Sequence, residues 1–159
     1  MSNTVHKDTG LRRTGTYSAV AALLAGVMAT TSFVPAANAA GLTATSFTAD
    51  FSAMAALKDL AGKVKGKIAV LLPETTTSAR YTSFDEPYLK KAFAAAGLKA
   101  DQFIITNAQG SESTELTQAQ SAISQGASVL VVDPISSGVG ASIETYAKQH
   151  GVPVIDYDR

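Results

Sequence analysis

From Lys67 onward, short apolar runs alternate with longer stretches whose apolar residues recur at helical spacing. The runs are Ile68-Ala69-Val70-Leu71-Leu72, Phe103-Ile104-Ile105, Ser128-Val129-Leu130-Val131-Val132 and Val152-Pro153-Val154-Ile155. They lack the alternation of a half-exposed strand, which predicts strands apolar on both faces. Between them, Phe84, Tyr88 and Ala92 with Leu89, Phe93 and Ala96 predict a helix over 84–96, stopped by Gly97. Pro87 is tolerable there only in the first turn or as a kink. Leu116, Ala119 and Ile123 mark a second helix, ended by Gly126. Val139, Ile143, Tyr146 and Ala147 mark a third, ended by Gly151. The order β-α-β-α-β-α-β predicts an α/β fold, a doubly wound parallel sheet with right-handed crossovers. Arg159 follows the fourth strand directly, so 67–159 reads as an incomplete lobe of a longer protein.

Upstream the pattern changes. Phe51, Met54, Leu57 and Ala61 fall at helical spacing, and Gly62-Lys63-Val64-Lys65-Gly66 closes that short helix with a basic link. Residues 41–50 are small and polar and read as disordered, so 40–66 is expected to be a flexible lead-in with one short helix. Before Asp50, the only charged residues are Lys7, Asp8, Arg12 and Arg13. They precede an apolar run over 19–29, then Thr30, Thr31 and Ser32, then Ala37-Asn38-Ala39-Ala40. A basic start, a short apolar run and a small-x-small site make a secretory signal peptide over 1–39, cleaved near Ala39. The run is too short, and too interrupted by hydroxyls, for a transmembrane anchor. Residues following Arg12-Arg13 fit a twin-arginine signal poorly. The expected location is therefore extracytoplasmic, periplasmic or secreted.

Composition narrows the chemistry. Lys and Arg total 13, as do Asp and Glu, so nothing suggests a basic nucleic-acid binder. Removing 1–39 takes Lys7, Arg12, Arg13 and Asp8 and leaves a remainder of about −2. Hydrophobic residues at 46% against 16% charged suffice for a core. With no cysteine, disulfides, thiolate catalysis and lipoprotein anchoring are excluded, and His6 and His150 alone make a histidine metal site improbable. No metal or cofactor is expected.

Ligands of open α/β sheets bind beyond the carboxyl ends of the strands. Those ends carry Glu74 to Arg80-Tyr81, then Asn107, Gln109 and Gly110, then Asp133-Pro134, then Asp156-Tyr157-Asp158-Arg159. Carboxylates accept from hydroxyls, guanidinium groups donate to them, and an aromatic ring packs on a sugar's C–H face. The same pairs can equally form a salt bridge or helix cap at the sheet edge. Tyr157 is expected in the core, and Asp133 either binds ligand or caps a turn. Gly138-Val139-Gly140 lacks the last glycine of a dinucleotide fingerprint, Ile143 standing in its place, and more simply permits close helix packing. Residues 62–67 lack the spacing of a phosphate loop, and no nucleophile elbow exists.

Four stretches resemble the periplasmic sugar-binding proteins of ABC transporters, the group with ribose-, galactose- and xylose-binding receptors. They are Lys67-Ile68-Ala69-Val70-Leu71-Leu72-Pro73 with Ser78-Ala79-Arg80-Tyr81; Gln118-Ala119-Gln120 through Gly126-Ala127-Ser128-Val129-Leu130-Val131-Val132; residues 147–151; and Val152-Pro153-Val154-Ile155-Asp156-Tyr157-Asp158-Arg159. The last is the most specific, and the Arg-aromatic pair looks nearest to the xylose type. The resemblance implies that Asp158 and Arg159 bind sugar hydroxyls, that Arg80 donates to them and that Tyr81 stacks on the ring, with Ser78 and Asp133 as weaker contacts. It implies two lobes closing on a monosaccharide, of which this chain holds part of the first, and delivery to an ABC transporter permease, the sole link to a membrane. Sugar-responsive repressors share the fold but carry a helix-turn-helix where this chain has a signal peptide. The expected function is a non-enzymatic sugar receptor with no catalytic residues. A secreted α/β enzyme such as a small hydrolase, or a sugar-sensing partner of a signalling receptor, are the alternatives.

Overall fold

The computed structural model describes residues 41–158, so the predicted signal peptide and Arg159 lie outside the described residues. Four strands form one parallel sheet in the order β2-β1-β3-β4: β1 (Lys67–Leu72), β2 (Phe103–Asn107), β3 (Ala127–Val132) and β4 (Val154–Asp156). From β1 the chain moves to one side for β2, then returns across β1 to place β3 and β4 on the other. Right-handed crossovers then require the helices to divide between the faces, and they do. Ala69 and Leu71 of β1 pack with Ala119 and Ala122 of α3 (Glu112–Ser124) and with Val139, Ile143 and Ala147 of α4 (Ser137–Gln149). Val70 and Leu72 face the other way, toward Leu89 and Phe93 of α2 (Glu86–Ala95). Residues 69 to 72 are each at most 1% exposed, the physical reason β1 reads as an unbroken apolar run.

Each crossover helix has a local cause. Ser111 caps α3, its hydroxyl accepting from Thr114 N at 3.3 Å, and Glu112 and Glu115 complement the positive end of the helix. Ser136 caps α4 in the same way through Val139 N. A side chain on Gly140 would lie 3.2 Å from Pro134, so this small residue does permit close packing of α4 on the end of β3. Glu115, fully buried, accepts from Ile135 N at 3.0 Å and ties α3 to the loop after β3. Gly66 holds φ 98° and lets the start of β1 pass beside Gly126, whose carbonyl accepts from Lys67 N at 2.9 Å.

The structure departs from the sequence reading in three elements. The helix expected over 84–96 opens earlier, with a wide π-type turn at Tyr81–Asp85 in which Glu86 N donates to Tyr81 O, and only then becomes α2. Pro87 sits in the first turn of α2, as its missing N–H requires. The fourth strand begins at Val154, two residues later than expected; it is an edge strand with Ile155 54% exposed, so it is not buried on both faces. Upstream, the lead-in holds helical turns at Ala44–Ser46 and Ser52–Leu57, then one α-helical turn, α1 (Lys58–Ala61). Phe51 anchors it by meeting the Tyr88 ring edge-on at 6.0 Å between centroids.

Candidate functional site at the carboxyl ends of the strands

Backbone bonds lace the strand ends together. Ala108 N donates to Leu72 O and Gly110 N to Pro73 O, joining the loops after β1 and β2. Asp133 N donates to Leu71 O, and Tyr157 N to Val132 O, carrying the β1–β3 and β3–β4 pairings past the last sheet residues. The chain thus diverges between β1 and β3, the switch point where open sheets form a ligand crevice. Asp133 stands at that point, fully buried.

The loop after β1 is pre-shaped by one carboxylate. Glu74 accepts from Thr76 N and Thr77 N, each at 2.6 Å, and from the Thr77 hydroxyl at 2.7 Å. The Thr77 hydroxyl first of all, with these backbone donors, holds the Glu74 carboxyl below its ordinary pKa. Asn107 Nδ2 donates to Glu74 O at 2.8 Å, fastening the same loop to the end of β2.

That loop delivers Arg80 to the edge of the sheet. Arg80 Nε donates to Asp85 at 2.8 Å, and Nη1 donates to Asp158. The guanidinium lies over two rings, 5.4 Å from the centroid of Tyr81 and 5.7 Å from that of Tyr157. Its protonated form is favoured beyond the usual arginine range, first by Asp158, then by Tyr157 and the charge of Asp85. The side chain stays 40% exposed, so donors remain for a ligand.

The sequence candidates therefore separate. Arg80 and Asp158 meet in an ion pair, one from the loop after β1 and the other from the end of β4. Ser78 is adjacent, but its hydroxyl accepts from Arg80 N at 3.3 Å and shapes the turn. Tyr81, expected as the stacking ring, is 3% exposed and packs with Val70 and Leu72. Tyr157, expected in the core, is 37% exposed beside Arg80. That expectation is corrected by strand alternation: Val154 points into the core and Ile155 out, so two residues further on Tyr157 shares the outward side. Asp85 was missed altogether, because a five-residue spacing from Arg80 is no helix face. A cavity of about 240 Å³ is lined by Ser136, Gly140, Glu144 and Asp156 among others. Among the described residues no group of three or more His, Asp or Glu side chains could hold a metal ion.

Residues 68–159 match the model of a family described as periplasmic binding protein domain. Over 72 residues the chain is 35% identical to the D-xylose-binding periplasmic protein of Escherichia coli (strain K12), spanning 45% of this chain and 21% of that protein. A carbohydrate transporter solute binding protein from Chloroflexus aurantiacus, solved with D-glucose, superposes with a TM-score of 0.52 at 29% identity, covering 58% of this chain and 26% of the other. An ABC transporter solute binding protein from Clostridium phytofermentans, solved with β-D-glucose, gives 0.51 at 26% identity over 58% of this chain and 27% of the other. The chain thus spans only a fifth to about a quarter of the length of these relatives.

Proposed function

The chain belongs to the periplasmic binding protein domain family, and from that premise we propose that it is an extracytoplasmic receptor for a pentose or hexose monosaccharide. It binds the sugar without transforming it and serves its delivery to an ABC transporter permease. The observation that carries this reading is the half-exposed Arg80 guanidinium, aligned by Asp158 and flanked by the exposed Tyr157 ring at the carboxyl edge of the sheet. A hydroxyl-rich, uncharged ligand uses all three: donors from the guanidinium, acceptors from the carboxylate, and an apolar face on the ring. The names of the relatives, which speak of D-xylose, carbohydrate and D-glucose, support the same ligand class. We further propose export by a signal peptide over 1–39, and Arg159 as an additional hydroxyl donor next to Asp158.

Calorimetry and amide-shift mapping of the 159-residue chain with D-xylose, D-ribose, D-glucose and D-galactose test the proposal. The expected result is weak binding, Kd of about 1 mM, equivalent to roughly 4 kcal/mol, with shifts centred on Arg80, Tyr157 and Asp158. Shifts for none of the four sugars, or shifts confined to another surface, overturn it.

A further inference from the structure

Arg80 and Asp85 are five residues apart. On a regular α-helix, at about 100° per residue, such a pair points roughly 140° apart and cannot meet. The residue that a regular helix would turn toward Arg80 is Phe84, which here is 52% exposed. Asp85 takes that place because the chain winds wide over Tyr81–Asp85, with the Glu86 N to Tyr81 O bond spanning five residues. Wide turns of this kind are rare and frequent at functional sites.

The two carboxylates on Arg80 are not equivalent. The Asp158 side chain is 41% exposed, whereas that of Asp85 is 11% exposed. Asp85 engages Nε, the nitrogen nearest the chain, and fixes the plane of the group. Asp158 accepts from Nη1, and the 40% exposure of the Arg80 side chain leaves the guanidinium open to a ligand. Two carboxylates on one guanidinium leave Arg80 no surplus positive charge to attract an anion, which suits a neutral ligand.

We propose that Asp85 is a positioning residue: it holds the Arg80 guanidinium as a donor to neutral sugar hydroxyls rather than as an anion receptor, and the wide turn over Tyr81–Asp85 is what brings it there. This rests on the sugar-receptor reading, so its test has an arm that needs no sugar. The chain has four arginines, at positions 12, 13, 80 and 159, so the Nε–H resonances of the ¹⁵N-labelled protein are few, and Arg80→Lys identifies the one of interest. Without ligand, that resonance is expected shifted and protected from solvent exchange in the parent. It collapses onto the free-arginine position in Asp85→Asn and is retained in Asp85→Glu, which keeps the charge. An unchanged Arg80 resonance in a folded Asp85→Asn protein overturns the proposal whatever the sugar results. The second arm titrates D-glucose against D-glucuronate, which differ in one carboxylate. The parent is expected to favour glucose by about tenfold, and Asp85→Asn to narrow that ratio severalfold. Equal or tighter glucuronate binding by the parent overturns the proposal, as does a ratio unmoved by Asp85→Asn. If neither sugar binds while the resonance behaves as expected, the receptor reading fails and the positioning contact stands, with its role in selecting sugars overturned.

Discussion

Gly66→Ala is expected to destabilise the protein more than any other single-methyl addition at a described glycine. The site lies where β1 passes the start of β3, and two costs combine there. The backbone has φ 98°, a region that side chains rarely adopt, costing about 1–2 kcal/mol. The new Cβ would also fall 2.6 Å from Gly126 O and 3.0 Å from Ser128 Cβ. The first of those atoms is backbone and accepts the Lys67 hydrogen bond, so it cannot move aside without stretching that bond. Overpacking of this kind costs about 1–3 kcal/mol, which brings the total to roughly 2–5 kcal/mol. Gly126→Ala is the control: its φ is 87°, but nothing lies within 4 Å of the added carbon, so it carries only the backbone cost. Urea unfolding followed by far-ultraviolet circular dichroism measures both. With a slope of about 1.5 kcal/mol per molar, a loss of about 3 kcal/mol lowers the midpoint by about 2 M. A Gly66→Ala midpoint within about 0.3 M of that of Gly126→Ala, or about 0.5 kcal/mol at that slope, refutes the close-contact argument.

Other outcomes follow from the site and the core. Ile143→Ala, at a fully buried position of α4, is expected to cost about 2–5 kcal/mol in the same unfolding assay. The two tyrosines should part ways: Tyr81→Ala should lower stability by about 3 kcal/mol or more because its ring is buried, whereas Tyr157→Ala should leave the midpoint nearly unchanged and weaken sugar binding in calorimetry. Arg80→Ala is expected to weaken sugar binding about 10- to 100-fold, the loss of a hydrogen bond to a charged group. Because the folded-state pKa of Glu74 is depressed, its contribution is present above its ordinary value of 4.5 and is lost as the pH falls through the lowered folded value. The difference in urea midpoint between the parent and Glu74→Gln should therefore shrink on acidification through that window, and a constant difference from pH 7 to pH 3 would contradict it.

Order and type of the elements from Lys67 onward were legible because burial on both faces leaves a direct trace, as at Val70 and Leu71, which point in opposite directions and are both apolar. The edge was less legible. Val154-Ile155 reads like the central strands, yet the faces of an edge strand need not both be covered, and Ile155 is exposed. The joining of Arg80 and Asp158 was legible only as a shared end of the sheet; their contact needs the β4 register against β3, which no local pattern encodes. The burial of Tyr81 turned on a single helical turn. A ring that opens a regular helix after a strand end could face the crevice, but in the wide turn Tyr81 folds back over Val70 and Leu72. Asp85 was invisible for the same reason, since the periodicities used to read helices assume a turn of ordinary width.

The sheet order has a consequence for how the chain is made. Among the described residues β1 is the earliest strand in sequence and an interior strand in space. Ile68 pairs with Phe103 on one side and Val129 on the other, so during synthesis one edge stays open until β2 has emerged and the other until β3 has. Until then a segment apolar on both faces lacks one or both of its native strand neighbours. It is the segment of the nascent protein most prone to capture by a wrong strand, and the place where a holding chaperone would act to most effect.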